Sequence, residues 1–178
     1  MSPIYMTRPA RIAAGAGFLG AWLLLTAFFL CAVSRSATAG TPEPQSAAAI
    51  ALESKTHKLV NEHRRAMGLA PLAYDARIAA VARRHSRDMA DGRIAPGHDG
   101  FESRRRKISK SVPLKGIAEN VGFNDYPRSE TVRAAVSGWL GSHGHKENIE
   151  GGYDLTGVGI ARDARGGWYF TQIFVRRK

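Results

Sequence analysis

The chain has 178 residues, 44% of them apolar and 23% charged, with a formal net charge of +11. That length and mixture describe one globular domain rather than a fibrous or low-complexity chain. The single cysteine excludes a disulfide framework, and the basic surface directs the search for partners toward anions.

The first 39 residues differ from the rest. Arg8 and Arg11 precede an uncharged run from Ile12 to Val33, and Ala37-Thr38-Ala39 follows as an A-x-A cleavage pattern. One reading is an export signal removed near Ala39, which leaves a secreted or periplasmic protein of 139 residues carrying about +8. The other is an anchor held in the cytoplasmic membrane, since about 20 apolar residues suffice to span a bilayer. Both place the remainder outside the cytoplasm, where nucleic acid is not an expected partner. Cys31 lies within the apolar run after Leu30, which is too large for a lipid-attachment motif. The expected organisation is a signal or anchor over 1–39, a linker over 40–50 and one domain over 51–178.

Periodicity predicts a first helix from Ala47 to Met67, with Leu52, Leu59, Val60, His63 and Met67 on its inner stripe and Gly68 ending it. Asp75 is suited to cap a second helix over 76–91, whose stripe is Ile78, Val81, Ala82, His85 and Met89. Its other face carries Arg77, Arg83, Arg84 and Arg87, read as solvated. After a loop with Pro96, Gly97 and His98, residues 101–110 predict a short helix around Arg104-Arg105-Arg106-Lys107. Ile117 to Gly122 reads as a strand. Ser129 is the expected cap of a helix striped by Val132, Ala135, Val136, Trp139 and Leu140. The last third changes period. Leu155–Ala161 is extended, Asp163–Gly167 is a hairpin loop, and Trp168–Val175 carries apolar residues on both sides, as a central strand does. The fold class is α+β, a layered domain with helices on both sides of the sheet.

Candidate functional residues cluster in three segments. Ser142-His143-Gly144-His145-Lys146-Glu147-Asn148-Ile149 is read as one wall of a cleft, too polar for core. Gly97-His98-Asp99-Gly100-Phe101 forms the other wall, and Ala118-Glu119-Asn120-Val121 the floor. His98 and His145 can serve as metal ligands or as general bases, or they can simply bond loop carbonyls. Glu119 can be a general base, can orient a histidine, or can fix a loop through backbone amides. His63 and His85 fall on apolar stripes and read as core histidines, and His57 as helix surface. No serine sits in a G-x-S-x-G setting, and no glycine-rich phosphate loop follows a strand.

Taken in order, several segments resemble the CAP superfamily of cysteine-rich secretory proteins, antigen 5 and pathogenesis-related proteins, in its bacterial SCP-domain branch. They are Leu59-Val60-Asn61-Glu62-His63-Arg64, Gly68-Leu69-Ala70-Pro71-Leu72, His85-Ser86-Arg87-Asp88-Met89-Ala90, Gly97-His98-Asp99-Gly100-Phe101, Ala118-Glu119-Asn120-Val121-Gly122, Trp139 through Ile149, Gly157-Val158-Gly159 and Tyr169 through Phe174. The resemblance implies an α-β-α sandwich with a central antiparallel sheet. It also implies a cleft bearing two histidines and two glutamates, which in some members binds zinc or another divalent cation. His98 matches the first histidine, Glu119 the first glutamate and His145 the second histidine. The second glutamate falls at Ser142, which departs from the pattern. Glu147 is near in sequence but is expected to point elsewhere.

The resemblance carries no single activity. The first expectation is a non-enzymatic exported module, monomeric, that binds a lipid, a cell-wall glycan or a protein at the envelope. Its cleft would be His98, Glu119, Ser142 and His145, with zinc or another divalent ion on the histidines. The second is a zinc-dependent hydrolase with Glu119 as general base. A third is an envelope structural protein anchored by residues 12–33.

Overall fold

The computed structural model describes residues 4–6 and 47–178. The apolar run at 12–33 and the expected cleavage site lie outside the described residues. The elements in order are β1 (Ile4–Met6), α1 (Ala47–Ala66), β2 (Ala73–Tyr74), α2 (Ala76–Ala90), α3 (Phe101–Ser109), β3 (Leu114–Asn124), α4 (Thr131–Gly141), α5 (His143–Glu150), β4 (Leu155–Arg162) and β5 (Trp168–Arg177). The sheet runs β1-β3-β5-β4-β2. Its centre, β3-β5-β4, is antiparallel, and the short strands β1 and β2 pair in parallel at the edges.

β5 divides the core by its two-residue period. Phe170 and Phe174 pack with Leu52 and Val60 of α1, Val136 and Trp139 of α4 and Ile149 of α5. Ile173 and Val175 pack with Ile78, Val81 and Ala82 of α2 and Ile108 of α3. The result is the expected α-β-α sandwich. α2 is capped by Asp75, whose side chain accepts from the N–H groups of Arg77 and Ile78. The cap of α4 is Glu130 rather than Ser129. Asn124 and Thr131 exchange bonds at that turn, so the entry to the helix is set by the end of β3.

The inner face of α1 differs from the expected stripe. Met67 lies beyond the helix and is 53% exposed, whereas Glu53, Thr56, Asn61 and Arg64 are buried. Each polar group there has a backbone task, as burial requires. Asn61 exchanges two bonds with the backbone of Leu72, at 2.8 and 3.0 Å. The Arg64 guanidinium donates to the carbonyls of Ala70, Ile149 and Gly151 at 2.7–2.9 Å. The last two lie at the C-terminal end of α5, where the helix dipole favours a cation.

Glu53 accepts from Arg83 Nε and Nη2 and from the N–H of Ile160 on β4. Burial still pushes its carboxyl above the ordinary value, against the pull of Arg83. Arg83 is therefore an ion-pair partner, not part of a solvated face. His57 is half-buried and bonded to the Leu72 carbonyl. His63 pairs with Glu150 at 2.8 Å on a half-exposed surface, and so is not a core histidine.

α2 lies unusually close to β4. A Cβ on Gly157 would collide with the backbone at Ile78 and Ala79, and one on Gly159 with the backbone at Ala82 and Arg83. Ser86 Oγ joins the two elements by donating to Gly159 O at 2.9 Å, and also contacts Thr171 Oγ1. Because backbone cannot move aside as a side chain can, Gly159→Ala is expected to cost about 3 kcal/mol, the upper end for overpacking; chemical denaturation of residues 40–178 measures it. Arg64→Ala strands the buried Ile149 carbonyl and loses the partly buried bonds to Ala70 and Gly151, and is expected to cost about 3 kcal/mol. Arg64→Lys, with three donors on a point charge, should recover only part of that loss in the same assay.

Candidate functional site

The cleft is built from three pieces that the fold brings to the β3 side of the sheet. The loop after α2 carries His98, the middle of β3 carries Glu119, and α5 carries His145. The loop is pinned twice. His85, buried on α2, donates from Nε2 to the Gly97 carbonyl at 2.9 Å. Arg104 donates to the carbonyls of Asp99 (2.8 Å) and His98 (3.2 Å). Gly100, at φ +77°, starts α3 in a left-handed conformation that favours glycine.

Glu119 is 4% exposed. Its carboxylate accepts from Arg104 Nε at 2.7 Å and Nη2 at 2.6 Å, a two-pronged pair. It also accepts from His98 Nδ1 at 3.0 Å. Burial acts to raise its pKa, but the bonds from His98 and Arg104 and the Arg104 charge together hold it below the ordinary value. Arg104 Nη1 also meets His85 Nδ1 at 3.1 Å. Since Nε2 of His85 donates to Gly97, Nδ1 is its acceptor and the ring is neutral. Burial first, and then the Arg104 charge, lower its pKa accordingly.

His145 is 2% exposed, so α5 is not a wholly polar wall. α5 is an eight-residue helix with His145, Asn148 and Ile149 inward. Asn120 donates to the His145 carbonyl at 3.0 Å, and Asn148 donates to Asn120 Oδ1 at 2.9 Å. These two amides fasten α5 to β3. His145 Nδ1 lies 2.8 Å from Ser142 Oγ, so the hydroxyl occupies the position where the resemblance puts a carboxylate. Burial and the neighbouring His98 lower the His145 pKa. Glu147 pairs with His143 at the surface and takes no part.

The four expected cleft residues therefore do come together. The rings of His98 and His145 lie 6.4 Å apart, centroid to centroid, inclined by 29°. Nε2 of each is buried and has no hydrogen-bond partner among the described residues. Beside them opens a pocket of about 280 Å³ lined by His98, Phe101, Ile117, Ala118, Glu119 and Asn148. Arg104 is the residue that sequence reasoning missed, because it stands in a run of basic residues. The available signal was spacing: it lies one turn before the buried Ile108, so it shares the inward face of α3.

Among the described residues no group of three or more His, Cys, Asp or Glu side chains is arranged to hold a metal ion. The two free imidazole nitrogens nevertheless suit a metal ligand role, since His98 Nδ1–H to Glu119 leaves Nε2 as a lone pair. Glu119, engaged by three donors and held acidic, is poorly suited to be a general base near neutral pH.

The same shifts set an acid response. Glu119, His85 and His145 all have folded pKa values below their unfolded ones, so the unfolded chain binds more protons as pH falls. Their contribution is complete above the unfolded histidine value, about 6.5. It is lost as pH falls through each folded value, while Glu53, shifted upward, acts in the opposite direction. Thermal melts between pH 7 and 3 should show a falling Tm, and Glu119→Gln should flatten the lowest part of that profile.

Comparison with known proteins agrees with this architecture. The model of the cysteine-rich secretory protein family (CAP) matches residues 57–174. Two Bacillus subtilis proteins are similar: the membrane protein YlbC, 32% identical over 70% of this chain and 34% of its own, and YkwD, 30% identical over 76% and 50%. The chain thus spans a third to a half of the length of these relatives. Among solved structures, a Bacillus anthracis extracellular protein containing an SCP domain superposes with a TM-score of 0.59 at 28% identity, over 75% of this chain and 45% of that one. A Staphylococcus aureus cysteine-rich secretory protein gives 0.61 at 22% identity, over 75% and 40%. A Borrelia burgdorferi outer surface protein gives 0.59 at 21% identity, over 72% and 94%. The last two speak to the fold alone. From its ordered motifs, its layered sheet and these matches, the chain belongs to the CAP family of cysteine-rich secretory proteins, in the bacterial SCP-domain branch.

Proposed function

We propose that this protein is an exported binding module, not a hydrolase, and that its cleft offers two imidazole nitrogens to a ligand or a divalent cation. The observation that carries this is the state of Glu119. A carboxylate gripped by Arg104 and His98 orients the histidine and has little remaining capacity to take a proton from water. The Bacillus anthracis relative, described as an extracellular protein, supports export, and the basic surface supports an envelope partner: a lipid, a glycan or a protein.

A divalent ion such as zinc would be held by Nε2 of His98 and Nε2 of His145, with its remaining positions filled by water or by the ligand. Two protein ligands are fewer than the three usual in catalytic zinc sites. Glu119 would act on such an ion through His98, fixing the tautomer and strengthening the donor. Ser142 would do the same for His145, more weakly than a carboxylate.

The test is calorimetric titration of residues 40–178 with zinc, beside a His98→Ala/His145→Ala variant of matched thermal stability. Binding at micromolar or tighter Kd, lost in the variant, is the expected result. Binding unchanged by the two substitutions would make the histidines structural. Turnover of ester or peptide substrates that vanishes on Glu119→Gln, with the melt preserved, would overturn the non-enzymatic reading.

A further inference from the structure

The basic residues that the sequence places in two distant runs meet at one end of the sheet. α3 ends at Ser109, and residues 110–113 turn into β3. There the N–H of Lys178 donates to the Pro113 carbonyl at 3.3 Å. Leu114 lies opposite Arg177 and Gly116 opposite Arg176, with a bulge at Lys115 between them. Arg77 joins from the start of α2, donating to the Ser111 carbonyl at 2.7 Å. Lys110, Lys115, Arg176 and Lys178 are all exposed on this end.

The acids nearby are already committed. Asp75 holds Arg77, and Asp154 holds Arg177. Glu102 holds Arg105, and Glu119 is buried against Arg104. Lys110, Lys115, Arg176 and Lys178 enter no ion pair among the described residues. They form a single-sign field at one end of the molecule.

We infer that this end is a docking surface for the anionic headgroups of a phospholipid bilayer. The groups sit on a helix end, a turn and two strand ends, not along a groove, so they match a plane of phosphates better than a threaded polymer. Neither the 110–115 turn nor the 176–178 end carries an exposed aromatic or large apolar residue to stack on a neutral sugar or anchor a peptide, and the exposed Tyr74 near Arg77 has its hydroxyl engaged by Arg83. Flexible ammonium groups suit a fluid array of phosphates that has no fixed geometry. The surface is separate from the cleft, and the inference rests on the proposed export only for its setting.

The experiment uses residues 40–178, which omit the three-residue edge strand β1 but contain every other described element and every residue of the three apolar clusters. Partition is measured onto vesicles of phosphatidylcholine with about one-third phosphatidylglycerol, and onto pure phosphatidylcholine. Each basic residue at an anionic surface is worth about fivefold in partition at low salt. Replacing Lys110, Lys115, Arg176 and Lys178 by Gln should therefore lower binding about a hundredfold or more. The control replaces Lys58, Arg65, Arg128 and Arg133 by Gln, the same charge removed from exposed positions elsewhere, and should stay within about fivefold of the parent. Matched melts establish that both variants are folded.

Equal losses in the two variants would reduce the effect to net charge and overturn the inference. No preference of the parent for anionic vesicles would do so too. Patch-dependent binding to a soluble glycerol-phosphate polymer, without binding to vesicles, would assign the surface to a polymer instead. Because no step involves zinc or the histidines, failure here leaves the cleft reading untouched, and the reverse also holds.

Discussion

A carboxylate placed in the middle of a central strand cannot remain charged without a cation that comes to it, because burial without a partner costs several kcal/mol. Glu119 meets that demand through Arg104, and much of the cleft follows from how Arg104 must lie to reach it. Its guanidinium has donors left over after gripping both carboxylate oxygens. These go to the carbonyls of His98 and Asp99 and to His85 Nδ1, so the group that neutralises the strand also shapes the loop. His98 then turns Nδ1 to the same carboxylate, and its other nitrogen is left facing the interior. One ion pair thus sets the loop, the orientation of His98 and the direction of its second nitrogen.

The other half of the cleft is held by different means. α5 is short, and a helix of eight residues has little stability of its own. It is fixed from its C-terminal end by Arg64, from below by Asn120 and Asn148, and through Ile149 in the apolar core. The position of His145 relative to His98 is therefore a property of three layers together. It reflects α1 and α5 on one face, β3 in the middle, and α2 with α3 on the other.

Much of this was legible in the sequence. The stripes of α2 and α4, the two-sided strand β5 and the glycine after α1 follow from periodicity and turn chemistry, and the structure bears them out. The gathering of His98, Glu119, Ser142 and His145 followed from the ordered motifs. What escaped was the use of polar residues as core. Glu53, Asn61 and Arg64 lie on the inner face of α1, where a search for apolar spacing looks past them and takes Met67 instead. Arg104 was concealed among like charges. A charge is buried when its partners converge from afar in the chain, by 15 residues for Arg104 to Glu119 and by 85 for Arg64 to Ile149. Local periodicity carries no record of such partners.

Glu53 has a consequence of another kind. Beyond Thr156, β4 has β5 on one side and no strand on the other among the described residues. An open strand of this sort is a template on which a second chain can add. Here a side-chain carboxylate already takes the Ile160 amide, and α1 and α2 are clasped around the edge by the Glu53–Arg83 pair. An incoming backbone would have to displace a buried ion pair before it could form its first ladder bond. The same contact that joins two helices therefore guards the sheet against edge-to-edge growth, a form of protection from aggregation that needs no extra strand, proline or disulfide.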